Sequence, residues 1–357
     1  MEELEGILKR GMLTISVTNK CPARCAHCLA ESSPDERTTL TSSKIEGIYL
    51  QAKALTHIKN VVFTGGEPTE LEDDLFNAIS SISVDGTPVR VVTNACWATD
   101  EQHTKAMVTK FRESGLDEIN YSLDDYHAIW IPPENVIRAY RASRCQGFAG
   151  VVIAVAEGPK SRYNLEWIKK NVDPEIQVTH PDIQYSGIQN TPSPDGTVYQ
   201  AAVHGYSRVG RGHRMRSDLV VLRNNLIDMD VPCPEILDQI YIDSEGTVGA
   251  CCGIRITGNS VLSMGNALQE ELADVYARAT SDVLLRAIHV LGPGWLLKLA
   301  KSRDDTVKVR DGYTNICEVC EDLTTQESAI NVLSRAREEI ESAIHSKLAN
   351  VTIPVSA

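Results

Sequence analysis

Over residues 12–184, six short runs rich in Val and Ile alternate with stretches of helical periodicity. No other feature of this 357-residue chain restricts its fold as tightly. The runs fall at 12–17, 60–64, 88–93, 118–123, 150–156 and 177–184. Between them 41–55, 71–82, 100–114, 134–146 and 164–171 read as helices. Thr41 or Ser42 and Asp100 are expected N-caps, and Gly115 and Gly147 expected terminators. Short apolar strands linked by helices make a parallel sheet with helical crossovers. The expected fold class is therefore α/β, with a partial parallel (β/α)6 barrel. Active sites of such barrels collect at the C-terminal ends of the strands.

The rest of the chain reads differently. Residues 186–218 are rich in Gly, Pro and Ser and turn basic in their second half, so 185–232 is expected to be a connection or an active-site flap. Apolar alternation around Glu245-Gly246 predicts a hairpin over 240–251. Helices are expected at 269–279, 283–298 and 325–349. This divides the chain into a barrel (1–184), a connection (185–232), a small α+β extension (233–325) and a C-terminal helix with tail (326–357).

Composition narrows the class. A net charge of −13 argues against a nucleic-acid partner, which selects for a basic face. The N-terminus has no apolar signal core, and the longest apolar stretch, 283–300, is broken by Arg286, His289, Gly292-Pro293-Gly294 and Lys298. No membrane span is expected, and a cytoplasmic location is. There, ten cysteines read as metal ligands or redox groups sooner than as disulfides.

Cys21, Cys25 and Cys28 form a CxxxCxxC run just after the first strand. Three thiolates on one loop can bind three irons of a 4Fe–4S cluster and leave the fourth open to a small molecule, whereas a fully ligated cluster takes four cysteines. At the end of the second strand stands Gly65-Gly66-Glu67-Pro68, two glycines for close backbone approach and a carboxylate able to hold an amino group. Together the two motifs resemble the radical S-adenosylmethionine (SAM) superfamily. The resemblance implies that SAM chelates the open iron and that the GGEP strand end binds its amino group. It also implies a 5′-deoxyadenosyl radical as the reactive species. By strand order it makes Asn94, Ser122 and Asp124 candidates for SAM contacts. His27 departs from the family's usual aromatic at that position, though an imidazole stacks too.

Five more cysteines lie in the last third: Cys233, Cys251, Cys252, Cys317 and Cys320. Four of them can ligate a second cluster; a zinc site is the alternative. Neighbours on a strand point to opposite faces, so Cys251 and Cys252 should not share one site, and one is expected to be a free thiol. The order of cysteine, hairpin, cysteine and CxxC resembles the twitch/SPASM extensions of radical SAM enzymes, and five cysteines suit a twitch-like form with one auxiliary 4Fe–4S cluster. Glu31–Pro34, Asn94–Trp97, Ser122–His127 and the paired Cys251-Cys252 make the chain similar to radical SAM epimerases of the epipeptide type. That resemblance implies Cys252 as hydrogen donor and Cys233, Cys251, Cys317 and Cys320 as cluster ligands.

The expected activity is inversion of L- to D-residues in a ribosomal peptide. Epimerisation of a carbohydrate such as an aminoglycoside, and peptide oxidation or crosslinking, are the alternatives. An iron–sulfur carrier or zinc-bound interaction protein has no need of GGEP beside an open-iron loop. The expected partners are a peptide or small-molecule substrate and an electron donor such as flavodoxin or ferredoxin. No winged-helix reader of a leader peptide is expected ahead of the first strand. Asp124–His127 could bind substrate or form a polar rim. The basic run Arg208, Arg211, His213, Arg214 and Arg216 reads as a solvated loop or a carboxylate clamp, and Cys96 and Cys145 as core residues.

Overall fold

Strand β1 (Met12–Thr18) shows how the barrel is built. Leu13, Ile15 and Val17 are fully buried in the main core, while Met12, Thr14 and Ser16 face a cavity. The same period of two recurs in β2 (Asn60–Gly65), with Val61 and Phe63 in the core and Val62 and Thr64 on the cavity, and in β3 (Val89–Thr93), with Val91 in and Arg90 and Val92 on the cavity. The core face is covered by helices such as α1 (Ser42–Leu55), which buries Ile45, Ile48, Tyr49 and Ala52, a single stripe at helical spacing. One face of the sheet is thus apolar and helix-covered and the other carries the site.

The computed structural model describes residues 7–179, 191–222 and 229–351. The remaining strands are β4 (Glu118–Ser122), β5 (Gly150–Glu157), β6 (Gln177–Thr179), β7 (Val198–Gly205), β8 (Ile240–Ile242), β9 (Thr247–Gly249) and β10 (Ser263–Asn266). They form one ten-stranded sheet in the order β10-β9-β8-β1-β2-β3-β4-β5-β7-β6. From β8 to β6 every pairing is parallel; β8, β9 and β10 pair antiparallel. The two end strands do not pair with each other, so the parallel barrel is open. Helices α2 (Asp73–Ser83), α3 (Glu101–Glu113), α4 (Pro133–Ser143) and α5 (Leu165–Asn171) follow their strands as expected. Asp100 caps α3 through its carboxylate on His103 N–H; Thr41 stands at the N-cap of α1 with its hydroxyl on Ser43 Oγ (3.0 Å) and not on a helix N–H.

The structure corrects several expectations. The neighbour of β5 is β7, paired over eight residues from Gly150↔Val198 to Glu157↔Gly205, and not the expected sixth strand. Of that strand, 177–179 form the edge strand β6, and 180–184 lie outside the described residues. Part of the expected 185–232 connection is therefore sheet. Gly, Pro and Ser flank β7 closely, and its buried Tyr199, Ala201 and Val203 alternate with half-exposed positions that break up any apolar run. The expected helix 283–298 is two, α7 (Val283–Val290) and α8 (Pro293–Arg303), bent by 116° where Gly292-Pro293 interrupts the hydrogen-bond ladder. Beyond α6 (Leu272–Thr280) and α9 (Ile316–Thr325), the last expected helix is likewise split, into α10 (Glu327–Arg335) and α11 (Arg337–Val351). Cys145 is exposed, at a positive φ of 58° where the chain turns after α4, and is not a core residue. No single described helix is long and apolar enough to cross a membrane.

Candidate active site

A cavity of about 880 Å³ opens at the C-terminal ends of the parallel strands. Cys21, Cys25 and Cys28, on the loop after β1, all line it. Burial, reinforced by the Glu67 carboxylate and Cys28, pushes the Cys21 thiol up to about 12, and burial with Cys28 raises Cys25 as well. Thiols held this way, without disulfides, lose their protons only to a cationic partner.

The GGEP motif locks that loop in place. A Cβ on Gly65 would stand 2.3 Å from Thr18 O, and one on Gly66 would stand 2.1 Å from Lys20 O. Main-chain bonds from Gly66 N to Thr18 O (2.7 Å) and Glu67 N to Lys20 O (2.9 Å) use this close approach. The glycines thus fit the end of β2 against the chain leading to Cys21, and both also line the cavity. Glu67 stands behind the wall, fully buried. Its Oε1 accepts from the Thr69 and Thr93 hydroxyls, both at 2.8 Å, and its Oε2 accepts from Asn94 N–H at 2.8 Å. Burial pushes its carboxyl upward against these donors. Pro68 opens a short 3-10 turn beside it. Asn94, held by Glu67, lines the cavity and donates from Nδ2 to Cys21 Sγ at 3.5 Å.

Ser122 reaches the cavity, whereas Asp124 does not. Asp124 is buried between two imidazoles, with Oδ2 2.7 Å from His127 Nδ1 and 3.3 Å from His27 Nε2. Burial opposes its charge, but the two histidines outweigh burial and hold it well below the usual carboxylate range. His27 stacks on Tyr126 (centroids 5.1 Å apart, planes at 28°) and meets Tyr206 edge-on. Asp124 therefore orients an aromatic wall, on which an adenine ring can lie.

The opposite wall comes from the C-terminal third. Cys252, Gly253 and Cys317 line the same cavity, while Cys251 turns into the core, 8% exposed. Gln239 Nε2 donates to Cys252 Sγ at 2.9 Å, and the Thr14 hydroxyl donates to Gln239 Oε1 at 3.1 Å. After burial, the charges of Cys251, Cys233 and Cys317 raise Cys320, while Cys252 acts on both Cys251 and Cys317. Among the described residues, only His27, Asp124 and His127 have ligand atoms all within 4.8 Å of one another. A tetrahedral zinc with Zn–S bonds of about 2.3 Å would draw four sulfurs to about 3.8 Å apart. Neither cysteine set is that tight.

Sequence reading singled out the cysteines, glycines and strand-end polar residues but missed Gln239, Tyr241 and Tyr206, which also line the cavity. A glutamine just ahead of a buried strand was the one signal for Gln239.

Residues 15–153 match the family model of the radical SAM superfamily. The chain carries a radical SAM domain. A curated relative, the putative peptide biosynthesis protein YydG of Bacillus subtilis (strain 168), is 21% identical over 328 residues, covering 89% of this chain and 93% of that protein. The probable GTP 3′,8-cyclase of Pyrococcus horikoshii is 33% identical, but over 31% of this chain and 34% of that one. Among solved structures, native anSMEcpe with bound AdoMet shares the fold at a TM-score of 0.51 and 11% identity, over 94% of this chain and 99% of that one. A radical SAM domain implies a 4Fe–4S cluster and SAM. The residues fit them: three unbridged thiols converge on a cavity with an aromatic wall, and Gly65, Gly66 and Asn94 border both.

Proposed function

We propose that this enzyme inverts L-residues of a ribosomal peptide to the D-form. One observation carries the reading: the Cys252 thiol faces the cavity that the Cys21–Cys25–Cys28 loop lines. In this reading Cys21, Cys25 and Cys28 hold the SAM-binding cluster, and Gly65, Gly66, Asn94 and Ser122 border SAM. Glu67 and Asp124 position those groups from behind. Cys233, Cys251, Cys317 and Cys320 hold an auxiliary 4Fe–4S cluster in a twitch-like extension.

When bound, the first cluster and SAM supply a 5′-deoxyadenosyl radical that removes a hydrogen atom from the substrate carbon. Cys252 then gives its S–H hydrogen to the opposite face of that carbon, closing the new C–H bond. The sulfur radical left behind takes one electron and one proton, the electron from a donor such as flavodoxin or ferredoxin. Burial raises the Cys252 thiol, so its hydrogen is in place at neutral pH.

A peptide is favoured over a polycationic sugar. Among the described residues no carboxylate lines the cavity, and its one arginine, Arg90, is paired with Glu118 at 2.8 Å. An aminoglycoside's ammonium groups would lose water there with no anion to replace it. The similarity to YydG over most of both chains supports the same choice.

The test is turnover in heavy water. The thiol exchanges with solvent, so an epimer should form with one deuterium at the inverted carbon and no change of mass in ordinary water. A product two mass units lighter than the substrate would mean oxidation or crosslinking and would defeat the proposal.

A further inference from the structure

The basic run 208–216 is divided by the fold. His213, Arg214 and Arg216 are exposed, whereas Arg208 and Arg211 are drawn inward between the two cysteine regions. On one side the run seats on the first cysteine loop. Gly210 sits at φ +54°, and a Cβ there would stand 2.3 Å from Leu29 O and 3.0 Å from Cys28 O. Arg211 N–H donates to Cys28 O at 3.1 Å, and its guanidinium donates to Ser32 O.

On the other side the same residues grip α9. Arg208 donates to Glu318 three times, from its main-chain N–H (2.6 Å) and Nε (3.3 Å) to Oε1 and from Nη2 to Oε2 (2.9 Å). Gly210 N–H donates to Glu321 Oε1 at 2.6 Å. Glu318 lies between Cys317 and Cys320 in sequence and is fully buried. Arg310 braces the joint, donating to Arg208 O at 2.9 Å and to Asp322 at 2.7 Å.

We propose that segment 207–214 is a coupler that ties the position of the Cys21–Cys28 loop to that of helix α9, with Arg208 and Gly210 as its positioning residues. A buried carboxylate follows its donors, because leaving them would strand a charge away from water. Gly210 has no room to slide on the loop. Consecutive residues of one short segment are thus fixed at both ends, and a shift of the first loop is delivered to the turn that carries Cys317, itself on the wall of the main cavity. The coupling is independent of the substrate.

Amide hydrogen exchange on the anaerobically reconstituted protein tests it, read on peptides covering 21–33 and 314–325. Four proteins form a cycle: wild type, Arg208→Ala, the triple variant Cys21→Ala/Cys25→Ala/Cys28→Ala, and their combination. Emptying the first loop should speed exchange at 314–325 by about fivefold or more when Arg208 is present, and should add nothing when it is absent. An equal acceleration in both backgrounds, or none in either, overturns the coupling. Gly210→Ala supplies an independent arm should Arg208→Ala fold poorly. Its Cβ should speed exchange in both peptides, and a rise in one peptide alone overturns the proposal.

Discussion

Gln239 donates its amide N–H to Cys252 Sγ at 2.9 Å while the Thr14 hydroxyl holds the other end of the same amide at 3.1 Å. Thr14 belongs to β1, the strand that leads into the Cys21 loop. The thiol is therefore anchored to the barrel and not only to its own hairpin. With the sulfur as acceptor, its hydrogen is free to point into the cavity.

Gln239→Leu should leave both cysteine sets and SAM cleavage intact but let the thiol swing. A loss of about 1.4 kcal/mol, inside the usual range for a buried hydrogen bond, corresponds to roughly a tenfold fall in epimer formed per 5′-deoxyadenosine released. Chromatographic quantitation of both products measures the ratio. An unchanged ratio would show that the anchor is idle.

Cys252→Ala and Cys251→Ala should part company although they are neighbours. The first should retain iron and SAM cleavage and release no epimer. The second, turned into the core beside Cys252, Cys317 and Cys233, should lose the auxiliary iron. Iron assay with electron paramagnetic resonance separates the two. Full epimerisation by Cys252→Ala would move the donor elsewhere.

Replacing Cys21, Cys25 and Cys28 together with Ala should remove about half of an expected eight irons, four per cubane, and all SAM cleavage. Retained 5′-deoxyadenosine formation would contradict the assignment of the first loop. One equivalent of zinc in place of the remaining iron would contradict the auxiliary cluster.

Glu67→Gln should weaken SAM binding through Asn94, since the carboxylate stands behind the wall. Each of Glu67→Gln and Asn94→Ala should cost about 1–2 kcal/mol of SAM binding by calorimetry, and the double variant little more than either. Additive losses would mean that Glu67 meets SAM directly.

The buried Glu318 gives a pH signature. Burial works to raise its carboxyl, but the donors from Arg208 and Thr314 outweigh burial and hold it below the usual glutamate value of 4.5. A carboxyl lowered by folding contributes fully above its unfolded value and loses that contribution as pH falls through the folded value. Glu318→Gln should thus be less stable than wild type by about 3 kcal/mol at pH 7, and the gap should narrow as the pH falls below 4.5, by at most ~1.4 kcal/mol per pH unit. Urea unfolding at pH 7, 5 and 3.5 measures it; a gap that widens in acid would reverse the sign.

Much of this architecture is legible in the sequence because it is local. Period-two alternation locates β1 to β5, whereas Cys251 and Cys252 follow β9 outside the strand, where that rule does not reach them. What escapes is held by partners far along the chain. Strand β7 looks like loop because its neighbour β5 lies some fifty residues earlier and Gly, Pro and Ser surround it. Arg208 and Glu318 are 110 residues apart, and no spacing rule links a loop arginine to a carboxylate inside a CxxC turn. The role of Glu67 is misread for a related reason. A carboxylate at a strand end looks free to meet a ligand, yet Thr69, Thr93 and Asn94 fold round to occupy it.

The parallel pairing of β8 with β1, from Leu13↔Ile240 to Ile15↔Ile242, makes the two walls of the cavity parts of one vault. A clamp needs a hinge between its jaws, and opening here would mean tearing a ladder of hydrogen bonds out of the centre of a sheet. The spacing of these two walls is therefore set by the sheet and not by the molecule that enters between them.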